Sequence, residues 1–142
     1  MVRGYELEIK TSAGTDTVDL TEAVQDRLRL SGLRDGVVVV FVPGSTGAVT
    51  TIEYESGVLN DLARAVERLA PEGLEYEHDR RWGDGNGYAH VRAALLGPSL
   101  CVPVREGRLV LGTWQQIVLL DFDNRPRQRR VLVQVLGEGG GL

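Results

Sequence analysis

The run VVVVFV at residues 37–42 constrains the fold more than any other segment, because every position in it is apolar. β-branched side chains favour strands over helices, and a strand that is apolar on both faces is typical of a sheet buried between two layers. We therefore predict a central strand that is covered on both sides. A chain of 142 residues with 42% hydrophobic content can build one core, so a single domain is predicted over residues 1–142.

Two helices are predicted in the first half of the chain. The first covers about residues 20–31, where Asp19 and Glu22 have the spacing of a capping box. The second covers residues 58–69, where apolar positions recur at helical spacing after Ser56, a suitable N-cap. Both helices lie before the part of the chain that is richest in extended segments.

No segment beyond Leu74 has a convincing helical period, and apolar extended runs follow each other closely. Strands are predicted at residues 5–10, 48–54, 90–96, 99–104, 108–112, 116–122 and 130–136. Glu106 and Gly107 suit a tight hairpin turn, so the later strands are expected to form an antiparallel meander. Early helices and late strands predict a layered α+β domain. The glycine-rich end from residue 137 is expected to be frayed.

Composition limits the classes of partner. A net charge of −4 argues against a general nucleic-acid binder, since neutralising phosphates supplies most of the affinity of such proteins. No apolar run approaches the roughly 20 residues of a membrane helix, and the amino terminus lacks the core of a signal peptide. The single cysteine, Cys101, excludes an internal disulfide and is predicted to be buried. We therefore predict a cytoplasmic protein with no nucleic-acid or membrane partner.

The two histidines, His78 and His90, are the residues with the most chemical potential. Imidazole titrates near neutral pH and can act as an acid, a base or a metal ligand. A histidine beside the glycine-rich stretch of residues 83–87 could equally hydrogen-bond a backbone carbonyl, and GDGNG could be a plain turn. Two histidines exclude a three-histidine metal site, so any metal would also need carboxylate ligands.

Several spaced blocks together resemble the YjbQ family of small bacterial and archaeal proteins. They are GSTGAVTTIEYE at residues 44–55, YEH at 76–78, GDGNGYAHVRAALLGPS at 83–99, GRLVLGTWQ at 107–115 and the arginine cluster at 127–130. The resemblance covers about residues 37–137. It implies an α+β fold with mostly antiparallel, β-sandwich-like sheets and the two helices, assembly as a homotrimer, and a secondary thiamine-phosphate synthase activity.

The chain departs from the family pattern at two positions. Gly44 stands where the better-known branch has a histidine, and Tyr88 stands where a closer branch often has one. His78 and His90 are therefore the only histidines that match the family.

The implied activity couples a hydroxymethylpyrimidine diphosphate to a thiazole phosphate with loss of pyrophosphate. This reaction needs support for a strongly negative leaving group, which arginine and a divalent metal can supply. The implied catalytic residues are His78, His90, Glu53 and Gln115. The implied residues for the phosphorylated small molecule are Ser45, Thr46, Asn86, Arg92, Arg129 and Arg130. The implied metal ligands are His78, His90 and Asp84, with Mg²⁺ or Zn²⁺ as the ion.

Other readings stay open. The protein could be a metal- or anion-binding trimeric module, or an enzyme that acts on another phosphorylated heterocycle. An exposed, solvated position for Glu53 and an exposed connection at residues 125–130 are the alternatives. Trp114 is predicted to pack, either in the core or at a subunit contact.

Overall fold

The computed structural model describes residues 1–139, which contain eight strands and four helices. In chain order the elements are β1 Val2–Thr11, β2 Asp16–Asp19, α1 Thr21–Ser31, β3 Leu33–Phe41, β4 Gly47–Ile52, α2 Ser56–Leu69, α3 Glu77–Trp82, α4 Gly87–Leu96, β5 Ser99–Arg105, β6 Arg108–Leu109, β7 Gln116–Asp121 and β8 Arg127–Gly139. Within residues 1–139, none of the helices is both long and apolar enough to cross a membrane. The α+β class is confirmed, with two more helices than predicted.

The strands form two antiparallel sheets. One has the order β1-β8-β3-β5-β6 and the other the order β2-β7-β4. The β5–β6 hairpin is confirmed, with Glu106 at φ 51° and Gly107 at φ 76° in its turn. The predicted meander is wrong, because β7 crosses to the second sheet and β8 returns to pair between β1 and β3.

The middle strand of the smaller sheet, β7, separates two halves of the core. Ile117 and Leu119 pack with the five-stranded sheet and α1, whereas Val118 and Leu120 pack with α2 and α4. All four side chains are fully buried. The alternation follows from the period of two in a strand, so an uninterrupted apolar run is what a layer covered on both sides requires.

The central position of β3 is confirmed, but the chain covers only one of its faces. Val38 and Val40 are fully buried, whereas Val39 is half-buried and Phe41 is 37% exposed. Cys101 pairs with Val39 in the neighbouring strand and is exposed, so its predicted burial is wrong for the single chain. The larger sheet therefore presents an apolar surface to solvent.

The helix starts differ from the predicted caps. Asp19 accepts hydrogen bonds from the backbone and hydroxyl of Thr21, and no capping box forms with Glu22. In α2 the cap is Glu55 rather than Ser56, because the carboxylate accepts the first free amides of the helix. A carboxylate is favourable there since it also meets the positive end of the helix dipole.

Helix α4 occupies residues 90–96, where the sequence predicted a strand. Its buried face consists largely of Ala89, Arg92 and Ala93. Small alanines and a buried arginine produce no apolar period, although alanine has the highest helix propensity. The helical signal was therefore in the propensity and not in the hydrophobic pattern.

The carboxyl end is ordered further than predicted. Residues 137–139 continue β8, and Gly137 pairs with Gly36 of β3. A Cβ on Gly137 would lie 2.1 Å from the Asp35 carbonyl oxygen, so glycine allows the two strands to approach. The rest of the predicted frayed tail, residues 140–142, lies outside the described residues.

Candidate functional site

A polar pocket of about 390 Å³ opens where the α3–α4 turn, the β3–β4 loop and the start of β8 meet. Its lining residues are Ser45, Thr46, His78, Trp82, Asp84, Asn86, His90, Asp123, Arg127 and Arg129. The structure thus brings together most of the predicted site, namely both histidines, both hydroxyl residues, Asp84, Asn86 and Arg129.

The two histidines meet although twelve residues separate them in sequence. His78 lies on α3 and His90 on α4, and their ring centroids are 4.5 Å apart with an interplanar angle of 47°. The Nδ1 atom of His78 is 3.3 Å from a carboxylate oxygen of Asp79. The pair is half-buried, so each ring combines a fixed position with access from the pocket.

The GDGNG turn makes this meeting possible. Gly83 ends α3 in the left-handed conformation at φ 71°, and Gly85 follows at φ 70°. The amide of Gly87 donates a 2.8 Å hydrogen bond to Asp79, and a Cβ on Gly87 would lie 2.7 Å from the Cβ of Tyr76. The turn therefore brings α3 and α4 close together, and the Gly87 amide is already bound.

Arg129 is held on the pocket floor by a bidentate ion pair. Its Nε donates to Asp121 Oδ2 at 2.7 Å and its Nη2 donates to Asp121 Oδ1 at 2.8 Å. Nη2 also donates to the hydroxyl of Thr46 at 2.5 Å. Asp121 accepts further hydrogen bonds from Thr11 and from the amide of Asp123. Burial would raise the pKa of Asp121, but these bonds outweigh it and lower the pKa.

Asp123 organises the rest of the floor. Its carboxylate accepts hydrogen bonds from Asn86 Nδ2, the Asn124 amide, Arg127 Nε and the Thr46 hydroxyl. Burial alone would raise its pKa, but these donors lower it to about 2. The carboxylate is therefore ionised at neutral pH, and its oxygens are committed to holding neighbours in place.

Four lining or supporting residues were not predicted from the sequence: Trp82, Asp121, Asp123 and Arg127. A usable signal existed for the carboxylates, because LLDFD places two of them at the end of a buried strand. Arg127 and Arg129 alternate with the same period on β8, the next strand in the sequence. If such charged residues are buried with the end of the strand, they need partners.

Arg92 has a structural role and does not line the pocket. It is 2% exposed, its Nε donates to the carbonyl of Ala70 at 3.0 Å, and its other nitrogens reach Thr15 and Glu67. Its guanidinium also lies 4.8 Å from the ring centre of Tyr88, which is buried beneath it. Arg92 does not line the histidine pocket, and each of its three nitrogens already has a partner, so the structure does not bring it together with the other predicted substrate residues.

Two other predicted residues lie elsewhere. Arg130 points from the exposed face of the larger sheet and lies 3.7 Å from Glu6. Glu53 lines a separate cavity beside Trp114, which is 71% exposed and does not pack within the chain. A packing role for Trp114 at a subunit contact stays a prediction.

Gln115 stabilises the loop that contains it through two side-chain hydrogen bonds. Its Oε1 accepts from the amide of Gly112 at 3.0 Å, and its Nε2 donates to the hydroxyl of Thr51 at 3.1 Å. These contacts lie outside the histidine pocket, so the structure does not bring Gln115 together with His78 and His90.

The three predicted metal ligands line the same pocket but are not grouped closely enough to form a metal site. His78, His90 and Asp84 all line the pocket. Within residues 1–139, however, no three histidine, cysteine, aspartate or glutamate residues are grouped so that they could hold a metal ion. The structure therefore shows no preformed metal site, and binding of Mg²⁺ or Zn²⁺ stays a prediction.

The fold and the pocket define a small single-domain α+β protein whose polar site combines two arginines with two histidines. The chain belongs to the family described as "UPF0047 protein YjbQ-like", which it matches over residues 5–138. A UPF0047 protein of Archaeoglobus fulgidus is 45% identical over 131 residues, which cover 92% of this chain and 99% of the relative. The UPF0047 protein YugU of Bacillus subtilis is 34% identical over 132 residues, which cover 92% and 97%.

Solved structures agree with the fold. A YbjQ-like protein of unknown function from Sulfolobus solfataricus P2 superposes with a TM-score of 0.88 at 33% identity, covering 97% of this chain and all of the other. A hypothetical protein from Aeropyrum pernix K1 gives a TM-score of 0.89 at 33% identity, covering 96% and 99%.

Proposed function

We propose that this protein acts on phosphorylated heterocycles, and that its activity is thiamine-phosphate synthesis. The observation that carries the proposal is the convergence of two arginines and two histidines on one pocket. In this reaction the thiazole nitrogen forms a bond to the methylene carbon of the pyrimidine. The bond from that carbon to the diphosphate oxygen breaks, and pyrophosphate leaves with the electron pair.

Arg127 and Arg129 suit the charge that develops on the leaving group. Arg129 is pre-oriented by its bidentate pair with Asp121, and Arg127 is held by Asp123. A guanidinium whose position is fixed before the reaction stabilises negative charge without reorganising during it. Ser45, at the rim of the same pocket, offers a hydroxyl to the same oxygens.

The histidine pair supplies the proton step. In its protonated form His78 or His90 can donate a proton to the departing pyrophosphate, since imidazole titrates near neutral pH. A divalent ion, if it binds with the diphosphate, adds neutralising charge to the leaving group. The residues of the pocket then bind the substrates, orient them and protonate the leaving group.

The test is a coupling assay with both phosphorylated precursors and Mg²⁺, in which thiamine phosphate is measured. The His90→Ala variant should lower the rate by about 100-fold, which is the usual size of a general acid's contribution. Arg64→Ala is the matched control, because Arg64 is exposed on α2, outside the pocket, and pairs with Asp61. Unchanged turnover in His90→Ala would remove His90 from the mechanism.

A second candidate is an anion- or metal-binding module without turnover. It is favoured by the balance of charge on the pocket floor, where Asp121 and Asp123 each hold an arginine. Such a module would retain an anion or metal through purification, and His78→Ala would abolish that retention. Elemental and phosphate analysis of the purified protein measures this retention. If the substrate is a different phosphorylated heterocycle, it would be detected as bound phosphate in the same sample.

Self-association as a homotrimer, in the cytoplasm, belongs to the same proposal. It is supported by the uncovered face of the larger sheet, where Val39, Phe41, Cys101 and Leu136 form an apolar surface. Exposed apolar patches of this kind on small domains are typical of subunit contacts. We call this surface the outer sheet face.

A further inference from the structure

Arg129 is almost completely buried, yet one of its terminal nitrogens is uncommitted. The residue is 8% exposed, and its Nε and Nη2 donate to Asp121 and Thr46. Nη1 has no hydrogen-bond partner among residues 1–139. In that range Asn86 Oδ1 is the only fully buried side-chain nitrogen or oxygen without a partner. Because Nη1 also lacks a partner, it must keep some exposure to solvent. Arg129 lines the polar pocket, so Nη1 can be reached from there. A buried guanidinium with a free, accessible end is a prepared anion site.

Gly44 keeps the approach to this nitrogen open. A Cβ at position 44 would lie 2.9 Å from Arg129 Nη1, so any side chain there would crowd the space in front of it. The backbone of Gly44 has φ 146°, a conformation that side-chain-bearing residues rarely adopt. The backbone conformation of the β3–β4 loop therefore favours glycine at position 44, and glycine leaves the space in front of Nη1 open.

An apolar cavity adjoins the polar pocket on the Gly44 side. It has a volume of about 230 Å³ and shares Ser45 and His90 with the polar pocket. Its far wall consists of Ala93, Ala94 and Pro98. Small side chains on this wall leave room for a compact group and offer it few hydrogen-bonding partners.

We infer that the ligand is a phosphate or diphosphate ester of a compact apolar or aromatic group. Its phosphate binds Arg129 Nη1 in the space left by Gly44, and its apolar part fills the cavity against Ala93, Ala94 and Pro98. The inference rests on the proposed function for the location of the site and goes further by assigning the two ends of the substrate. It makes Gly44 and Ala94 specificity-determining residues, because one controls access to the charge and the other the room for the apolar group.

The test uses phenyl phosphate, inorganic phosphate and benzoate as probes, titrated into the full chain by calorimetry. Phenyl phosphate should bind at least about tenfold more tightly than inorganic phosphate, because only the former fills the apolar cavity. Benzoate should bind more weakly than phenyl phosphate if the anion is a phosphate rather than a carboxylate. Ala94→Leu should reduce the preference for phenyl phosphate over inorganic phosphate to near one.

Val91→Leu is the matched control, since it places the same side chain on α4 outside both cavities and should keep the preference. Arg129→Lys should weaken both phosphates about tenfold or more, because lysine cannot make the bidentate pair that orients the cation. That variant removes partners from buried Asp121 and can fail to fold, whereas Ala94 is exposed, so its substitution should leave the fold intact.

Equal binding of phenyl phosphate and inorganic phosphate, or no effect of Ala94→Leu beyond that of Val91→Leu, would overturn the inference. Absence of phenyl phosphate binding at about 10 mM would overturn it as well. If phenyl phosphate binds as expected but the thiamine precursors are not coupled, the proposed reaction fails and the subsite stands. If coupling occurs and Ala94→Leu leaves its rate as Val91→Leu does, the subsite fails and the reaction stands.

Discussion

Asp123 and Asp121 show how a charged side chain can define a site without facing a ligand. Both carboxylates are fully buried and their oxygens are bound by neighbouring donors. A buried charge is tolerated only when it is paired and hydrogen-bonded, so each carboxylate determines where its arginine lies. At the scale of single residues, the geometry of the pocket is therefore set by groups beneath it.

The buried carboxyl of Asp123 should make the fold sensitive to acid. Its pKa is about 2 in the folded chain against an ordinary value of 3.8, so the unfolded chain binds the proton first as the pH falls. The stabilisation is complete above about pH 5 and is lost as the pH drops through 3.8 towards 2, amounting to roughly 2 kcal/mol. Urea unfolding at pH 7 and pH 3 measures it. Asp123→Asn should be less stable at pH 7 and lose less on acidification, whereas Asp26→Asn, at an exposed ion pair, should behave like the wild type.

Gly44 should be costly to replace because of its backbone conformation as well as its neighbours. Gly44→Ala should lower the free energy of unfolding by about 1–3 kcal/mol, the usual cost of a side chain in a disfavoured backbone region. Gly73→Ala is the control, since a Cβ at Gly73 meets no atom within 4 Å and its φ is not in the left-handed range. Equal stability of the two variants would show that the loop adapts without strain.

Helix α4 is the element on which the site depends most. Its N-cap residue Asn86 and its first-turn residue His90 line the pocket, and Arg92 anchors the helix to α2. Because Arg92 bonds to a carbonyl at the end of α2, it fixes the position of α4 relative to the neighbouring helix. A residue outside the pocket thus orients residues inside it.

Removal of this anchor should destabilise the chain measurably. Arg92→Ala leaves the carbonyl of Ala70 without its donor and removes packing against Tyr88, so a loss of about 2–4 kcal/mol in the free energy of unfolding is expected. Arg64→Ala, at an exposed pair with Asp61, should cost less than about 1 kcal/mol. Chemical denaturation of both variants decides the point, and similar small losses would mean that α4 is held by its alanines alone.

The whole molecule has one broad surface that its own chain leaves uncovered, the outer sheet face. The registers of β3, β5 and β8 place Val39 beside Cys101 on one side and Gln134 on the other, with Phe41 beside Leu132. A sheet that is buried on one face and carries an exposed apolar patch on the other resembles half of a larger core. This property belongs to the assembled sheet and to no single strand.

Self-association should therefore depend on this surface. Val39→Glu should convert an oligomer into monomers, because a charge buried at an apolar contact is strongly unfavourable. Lys10→Glu is the control and should leave the assembly intact. Lys10 lies on the same face of the larger sheet as Val39, but at the polar end of β1. Sedimentation velocity measures both, and a wild-type chain that is monomeric at all concentrations would contradict the proposed trimer.

Prediction from sequence succeeded where the signal was local. The strand at residues 37–42, the Glu106–Gly107 hairpin and the helix that ends at Gly32 follow from apolar runs and from backbone conformations that glycine allows. It was wrong for α4, because alanine and a buried arginine leave no apolar stripe. The strand order was also missed, since the return of β8 between β1 and β3 involves partners that are 91 to 134 residues apart in the sequence.

The sequence by itself determined the class of fold, the family and the chemical inventory of the site, because composition, turn residues and spaced motifs are properties of neighbouring positions. Only the tertiary structure decided which members of that inventory meet: it joined His78 to His90, directed Arg129 into the pocket and turned Arg92 away from it. The reason is that the direction of a long polar side chain is set by its buried partners. Those partners, Asp121 for Arg129 and the end of α2 for Arg92, become neighbours only when the layers pack.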